Sequence, residues 1–201
     1  SIVQNLENSK NIRSIDFSKD DYIKYVAPLQ LLTDKPVLYV CNVDEESILT
    51  GNNYVEEVKK SIKDKSAEII ILAAGIESEI NELSEHEERK MFLNDLGLDE
   101  PGSNKLIKST YSLLSLHTYF TAGIKEVRAW TIPIGSKASQ AAGVIHSDFE
   151  KGFIKTEVIS YSDYIGYGSE LKAKEAGKMR IEGKDYVVND GDVMHFLFNV
   201  W

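Results

Sequence analysis

The sequence has 201 residues, 42% hydrophobic and 27% charged, with a formal net charge of -9; this is an ordinary globular composition with room for one large domain or two small ones. No apolar run approaches the ~20 residues that cross a bilayer, the opening Ser1-Ile-Val-Gln-Asn-Leu-Glu7 lacks the basic and apolar regions of a secretion signal, and the single Cys41 allows no internal disulfide. A soluble, cytoplasmic protein is expected, without membrane association and without a structural metal, because His86, His117, His146 and His195 are too scattered for a zinc cluster.

In chain order, Ile2, Val3 and Leu6 suggest the tail of a helix. Ser18-Lys-Asp-Asp21 has the form of a helix start, and Tyr22, Tyr25, Val26, Leu29 and Leu32 follow at helical spacing, so the pattern predicts a helix that ends before Pro36. Val37-Leu-Tyr-Val-Cys41 is apolar without alternation, which predicts a strand covered on both faces of a parallel sheet. Tyr54, Val55, Val58 and Ile62 predict a second helix, and Glu68-Ile-Ile-Ile-Leu-Ala-Ala74 a second buried strand, together a crossover unit of an α/β sheet. Ser84-Glu-His-Glu87 has capping-box spacing ahead of Met91, Phe92 and Leu96, with Gly97 as the stop; Ser103 is the expected cap of a last helix carrying Leu106, Ile107, Leu113 and Leu114. Two strands do not complete a doubly wound sheet, so further strands are expected from outside these residues.

After Leu116 the texture changes to short strand-like segments at 118–122, 126–132, 153–158, 186–188 and 193–198, with one helix at 138–145 and a turn at Asn189-Asp-Gly-Asp192. Strands with one helix in so short a span predict an α+β ubiquitin-like roll. The charge balance shifts at the same place: 13 basic and 21 acidic side chains precede residue 115, and 10 and 11 follow. The second part is therefore the one able to approach a polyanion.

The candidate chemistry lies at the strand ends. Open α/β sheets bind ligands at the carboxyl edge, where Asn42 offers both a donor and an acceptor, able to brace a base or to tie neighbouring loops together. Glu45 could accept hydrogen bonds from a base, and Ala73-Ala-Gly75 at the end of the second strand would let a flat ring approach its backbone. An Asn-x-x-Glu after a strand also serves simply to cap a following helix. No residue is assigned a catalytic role. Cys41 reads as an inert thiol in an apolar strand, the acids at Glu85, Glu87 and Glu88 as favourable charges at a helix start rather than metal ligands, and Trp130 and Phe196 as core. Lys172, Lys174, Lys178, Arg180 and Lys184 form the one basic concentration, diluted by Glu170, Glu175 and Glu182, and a solvated face competes with an RNA or ribosome contact.

Asn42-Val-Asp-Glu45 resembles the Asn-x-x-Glu base-recognition motif of the YchF, or Obg-like ATPase, family, where GTPases show Asn-Lys-x-Asp. The resemblance extends through Lys35-Pro-Val-Leu-Tyr-Val40, Phe92-Leu-Asn-Asp-Leu-Gly-Leu98, Thr118-Tyr-Phe-Thr-Ala-Gly123, Lys125-Glu-Val-Arg-Ala-Trp-Thr131, Gln140-Ala-Ala-Gly-Val-Ile-His146, Asp148-Phe-Glu-Lys-Gly-Phe153, Lys174-Glu-Ala-Gly-Lys178, Glu182-Gly-Lys-Asp-Tyr186 and Gly191-Asp-Val-Met-His-Phe196. It implies a partial P-loop G domain of α/β type at 34–116, preceded at 1–33 by the end of an inserted helical arm and followed at 117–200 by a β-grasp TGS domain. It further implies a ribosome-binding hydrolase with Mg and ATP preferred over GTP, whose base pocket is Asn42, Val43, Glu45, Ala73, Ala74 and Gly75. The GTPase aspartate reads guanine N1–H and its exocyclic amine, which adenine lacks at those positions, so a longer glutamate implies lost guanine selectivity. The chain has no Gly-x-x-x-x-Gly-Lys-Ser/Thr, hence no phosphate cradle; it is expected to be a carboxyl-terminal portion that neither hydrolyses nor tightly holds nucleotide alone. Trp201 falls one residue past the usual family end and is given no role.

Overall fold

The computed structural model describes residues 2–62 and 67–199; the expected domain end at Val200, and Trp201, lie outside them. The chain divides into two compact units, Ser1–Leu113 and Leu114–Trp201.

The first unit begins with helix α1 (Ile2–Glu7) and a short 3-10 turn (Ile12–Ser14). Ser18 caps α2 (Lys19–Asp21) as its sequence predicts, its hydroxyl accepting from the Asp21 N–H at 3.1 Å. The helix does not run on to Pro36. It passes through a π turn (Tyr22–Val26) into a 3-10 turn (Ala27–Leu29) that Gln30 closes at φ 47°. Pro28 contributes by lacking an N–H for the α-helical ladder, although Ala27 before it stays helical and the turn closes only at Gln30. Only Val26 of the expected apolar stripe is buried; Tyr22, Tyr25, Leu29 and Leu32 are exposed.

Strand β1 (Leu38–Asn42) pairs in parallel with β2 (Glu68–Leu72), in register from Leu38 with Glu68 to Asn42 with Leu72. The connection contains a 3-10 turn (Glu45–Ser47) and α3 (Asn53–Ser61), whose start is capped by the Asn52 side chain. β1 is not covered on both faces: β2 is its sole strand neighbour among the described residues, and Val40 is 43% exposed. Helices α4 (Ala74–Glu82), α5 (His86–Asp95) and α6 (Gly102–Leu113) follow. Ile76, Ile80, Leu93 and Leu98 join Ile48 and Ala73 in one apolar cluster. Two sequence expectations fail at helix starts. Glu85, not Ser84, precedes α5, with no side-chain cap. Ser103 lies inside α6, whose first N–H groups are held instead by Glu77.

The second unit is a five-stranded mixed sheet of β3 (Leu116–Ala122), β4 (Val127–Pro133), β5 (Phe153–Ser160), β6 (Arg180–Glu182) and β7 (Asp192–Phe198), in the spatial order β4-β3-β7-β5-β6. β3 and β7 are parallel; the other neighbours are antiparallel. Helix α7 (Ala138–Ile145) buries Ala138, Ala141 and Ala142 at helical spacing with Tyr119, Ile132, Val158, Met194 and Phe196. Three further helices, α8 (Ser147–Lys151), α9 (Tyr161–Tyr167) and α10 (Glu170–Glu175), escape the strand-rich reading. The expected strand at 186–188 is not one. It holds a single bridge between Val187 and Lys137, while Arg180–Glu182 forms the edge strand instead. Pairing at 186–188 is limited to two backbone bonds around that bridge, Ala138 N–H to the Tyr186 carbonyl and Val188 N–H to the Ser136 carbonyl, while the Tyr186 hydroxyl donates to Asp192.

Candidate nucleotide-base site

β1 and β2 end side by side, so the loops leaving their carboxyl ends meet. The Val43 N–H donates to the Leu72 carbonyl at 2.9 Å, which extends the ladder one step beyond β1. Next to it, Asn42 Oδ1 accepts from the Ala74 N–H at 2.9 Å across 32 residues of chain. A backbone N–H only donates, so this bond fixes the amide orientation: the oxygen faces Ala74, and Nδ2 keeps two donors for another acceptor. Asn42 is exposed at the edge.

The same bond does a capping task. Ala73 precedes α4 without any side-chain cap of its own, and the first N–H groups of a helix have no partner inside it. Asn42 supplies one from the neighbouring strand. Of the two uses its sequence position allowed, tying loops together is the one the geometry displays, and its free Nδ2 leaves the other open.

Glu45 starts the 3-10 turn, which Asp44 stabilises by accepting from the Ser47 N–H at 3.0 Å. Its carboxylate is exposed, as are Ala74 and Gly75; Val43 is half-buried and Ala73 is 2% exposed. A methyl group built on Gly75 would meet nothing within 4 Å, so the space above this residue is open to a flat ring. Asn42, Val43, Ala73 and Ala74 are brought together by the two bonds described; Glu45 opens the 3-10 turn after β1 and Gly75 lies in the first turn of α4.

Glu77 is the residue sequence reasoning missed. From α4 its carboxylate accepts from the N–H groups of Gly102 (2.6 Å) and Ser103 (3.0 Å), clamping the start of α6 to the helix that begins at the site. A Cβ at Gly102 would stand 2.9 Å from both Glu77 Oε1 and Leu72 Cβ, so the close approach requires glycine. The helical spacing of Ile76 and Ile80 after Ala73 was the signal for α4.

Among the described residues no three His, Cys, Asp or Glu side chains are grouped to hold a metal ion. The donors present suit the base of a nucleotide; no residue described here forms a phosphate cradle. Cys41 is half-buried.

The basic residues of the second unit are extensively paired. Lys174 lies 4.0 Å from Glu157 and Lys178 3.5 Å from Asp163. Arg180 lies 3.9 Å from Glu182 and 3.6 Å from the buried Asp192, and donates to the Tyr186 hydroxyl at 3.1 Å. Lys172 is exposed on α10, and Lys184 is exposed in the turn after β6.

Comparison with known proteins decides the lineage. Over 195 residues the chain is 54% identical to the ribosome-binding ATPase YchF of Pasteurella multocida, covering 97% of this chain. The chain belongs to the YchF family. It is also 53% identical to the ribosome-binding ATPase YchF of Bacillus subtilis over 196 residues, and in both cases spans 53% of the relative's length. A YchF-GTPase_C family model, described as a protein of unknown function (DUF933), matches residues 116–199. The solved structure of the Schizosaccharomyces pombe YchF GTPase superposes with a TM-score of 0.83 at 36% identity, over 98% of this chain and 52% of that one. A GTP-binding protein from Pyrococcus horikoshii, 14% identical with a TM-score of 0.56, shares the fold. The chain thus spans about half the length of the YchF relatives it matches.

Proposed function

We propose that the chain is the carboxyl-terminal portion of a YchF-type, ribosome-associated, cytoplasmic ATPase that prefers ATP over GTP. Asn42, Val43, Glu45, Ala73, Ala74 and Gly75 then form its base pocket. The observation that carries this reading is the Asn42 to Ala74 hydrogen bond: it joins the two strand-end loops and aims Asn42 Nδ2 outward, where a purine ring nitrogen is the complementary acceptor. Open space over Gly75 supports the approach of a base. Glu45 is too long for the bidentate contact an aspartate makes to guanine, which removes guanine selectivity. Magnesium and the phosphates belong to a P-loop that these residues do not contain. Purified as these 201 residues, the protein should show no turnover of ATP or GTP; measurable hydrolysis sinks the proposal.

The second unit is read as a TGS domain of β-grasp type. The strand order β4-β3-β7-β5-β6, the parallel central pair and the packed α7 support that reading. Its proposed partner is the ribosome, through Lys172, Lys174, Lys178, Arg180 and Lys184, and for this chain alone a non-catalytic ribosome- or RNA-binding module is the alternative description. Co-sedimentation with ribosomes across a salt series tests it. Charge reversal at Lys174, Lys178 and Arg180 should weaken binding at low salt, and unchanged binding removes that face from the account.

A further inference from the structure

Besides the basic residues singled out by sequence, the second unit carries a further cation that an aromatic column holds in place. Arg128 lies on β4, an edge strand of the sheet, with its guanidinium carbon 4.2 Å from the Trp130 ring centroid. Trp130 is itself fixed: its indole N–H donates to Thr121 Oγ1 at 2.9 Å, and its ring stacks on Tyr119 at 6.5 Å and 15°. Tyr119 is fully buried and donates to the Ala141 carbonyl. A column therefore runs from the core through tyrosine and tryptophan to a guanidinium that is 55% exposed. Its one ion pair, to Glu126, is at 4.0 Å, too long for a hydrogen bond.

We infer that the β3–β4 hairpin, with Arg128 as its anchor and Lys125 beside it in the turn, is a contact surface for single-stranded RNA. The inference rests on the ribosome reading above but names a different face of the same unit. A stacked guanidinium loses little freedom on binding, keeps its planar donor fork for a phosphate or base edge, and offers its outer face to a stacking base. Lys125 and Arg128 outnumber Glu126 here, which gives the complementary charge. Ile124, at the hairpin tip, is fully exposed, and Val127 is 72% exposed, so the hairpin also presents apolar surface, although Val127, adjacent to Arg128 in β4, faces the other side of the sheet. Trp130 supports the site from beneath and is not its stacking platform.

The 201-residue chain, carrying Trp201→Phe so that Trp130 is the sole indole, tests this in two assays: co-sedimentation with ribosomes, and titration with a single-stranded RNA 12-mer read by Trp130 fluorescence. Arg128→Ala should weaken both by about 5- to 10-fold, and the logarithmic salt slope for RNA should fall by about one phosphate's share. Arg128→Lys should restore the salt slope but not the fluorescence change. If the parent binds ribosomes and Arg128→Ala and Lys125→Ala bind equally well, the hairpin inference is overturned and the ribosome reading stands. If the hairpin variants lose ribosome binding while the RNA oligomer neither binds nor alters Trp130, the surface meets protein and the RNA inference is overturned. Binding of RNA through Arg128 without any ribosome binding supports the inference and removes the ribosome reading.

Discussion

Replacing Asn42 by aspartate keeps an oxygen for the Ala74 N–H and removes both amide donors, whereas alanine removes both functions. In a chain extended to the length of its relatives, Asn42→Asp should leave the thermal midpoint close to the parent while weakening ATP binding about tenfold or more, the scale of one lost hydrogen bond within a site. Asn42→Ala should lower both. Equal ATP affinity in parent and Asn42→Asp, measured by calorimetry, would remove the amide from base recognition. Two phenols, the buried Tyr119 and the half-buried Tyr186, set a second expectation at this scale. Tyr119 is held above its ordinary pKa by burial, and Tyr186 by burial and then by its hydrogen bond to Asp192. A raised folded-state value means the native state holds the proton more tightly. The stabilisation is complete below the unfolded value of about 10 and is lost as pH rises through the folded value. Denaturant titrations between about pH 8 and 11 should show falling stability in the parent and a flatter profile in Tyr119→Phe/Tyr186→Phe; identical profiles would clear the phenols of that role.

At the scale of elements, the strand ends depend on how α4 and α6 are held together. Glu77 spans α4 and the start of α6, so Glu77→Ala should lower the stability of the first unit by about 1 kcal/mol, the usual worth of a helix cap, measured by urea unfolding. Gly102→Ala should cost about 1–3 kcal/mol, because its methyl group would press on Leu72 and Glu77. If both variants unfold with the parent, the clamp contributes nothing. The elements also show where local pattern suffices. β1, β2, α3 and α7 follow from apolar runs and helical spacing. The helical turns that Ser18 starts end before Pro36 as the pattern predicts, but they change from α to π to 3-10 type and leave most of their apolar stripe exposed. The edge strand differs because residues 186–188 pair only through one bridge to the segment before α7, whereas Arg180–Glu182 pairs with β5, a partner choice that alternation does not encode. Capping was least legible: Glu77 reaches α6 from 25 residues away, and no local spacing reports a partner so remote.

For the whole molecule, two units of different texture share one chain, and the change in charge balance near residue 115 falls beside the division at Leu114. The strand-end location of Asn42 and Glu45 was readable because parallel sheets place ligands at their carboxyl edge. What Asn42 does there was not, since either loop-tying or base-bracing fits its chemistry until Ala74 is located in space. The central claim is that the first unit holds the base side of a nucleotide site and lacks its phosphate side. Calorimetric titration of ATP into the 201-residue chain, beside the same chain extended through a P-loop to the length of its relatives, tests this directly. The account predicts binding to the shorter chain at least about 100-fold weaker, a difference of about 2.7 kcal/mol; equal affinity for the two chains would contradict it.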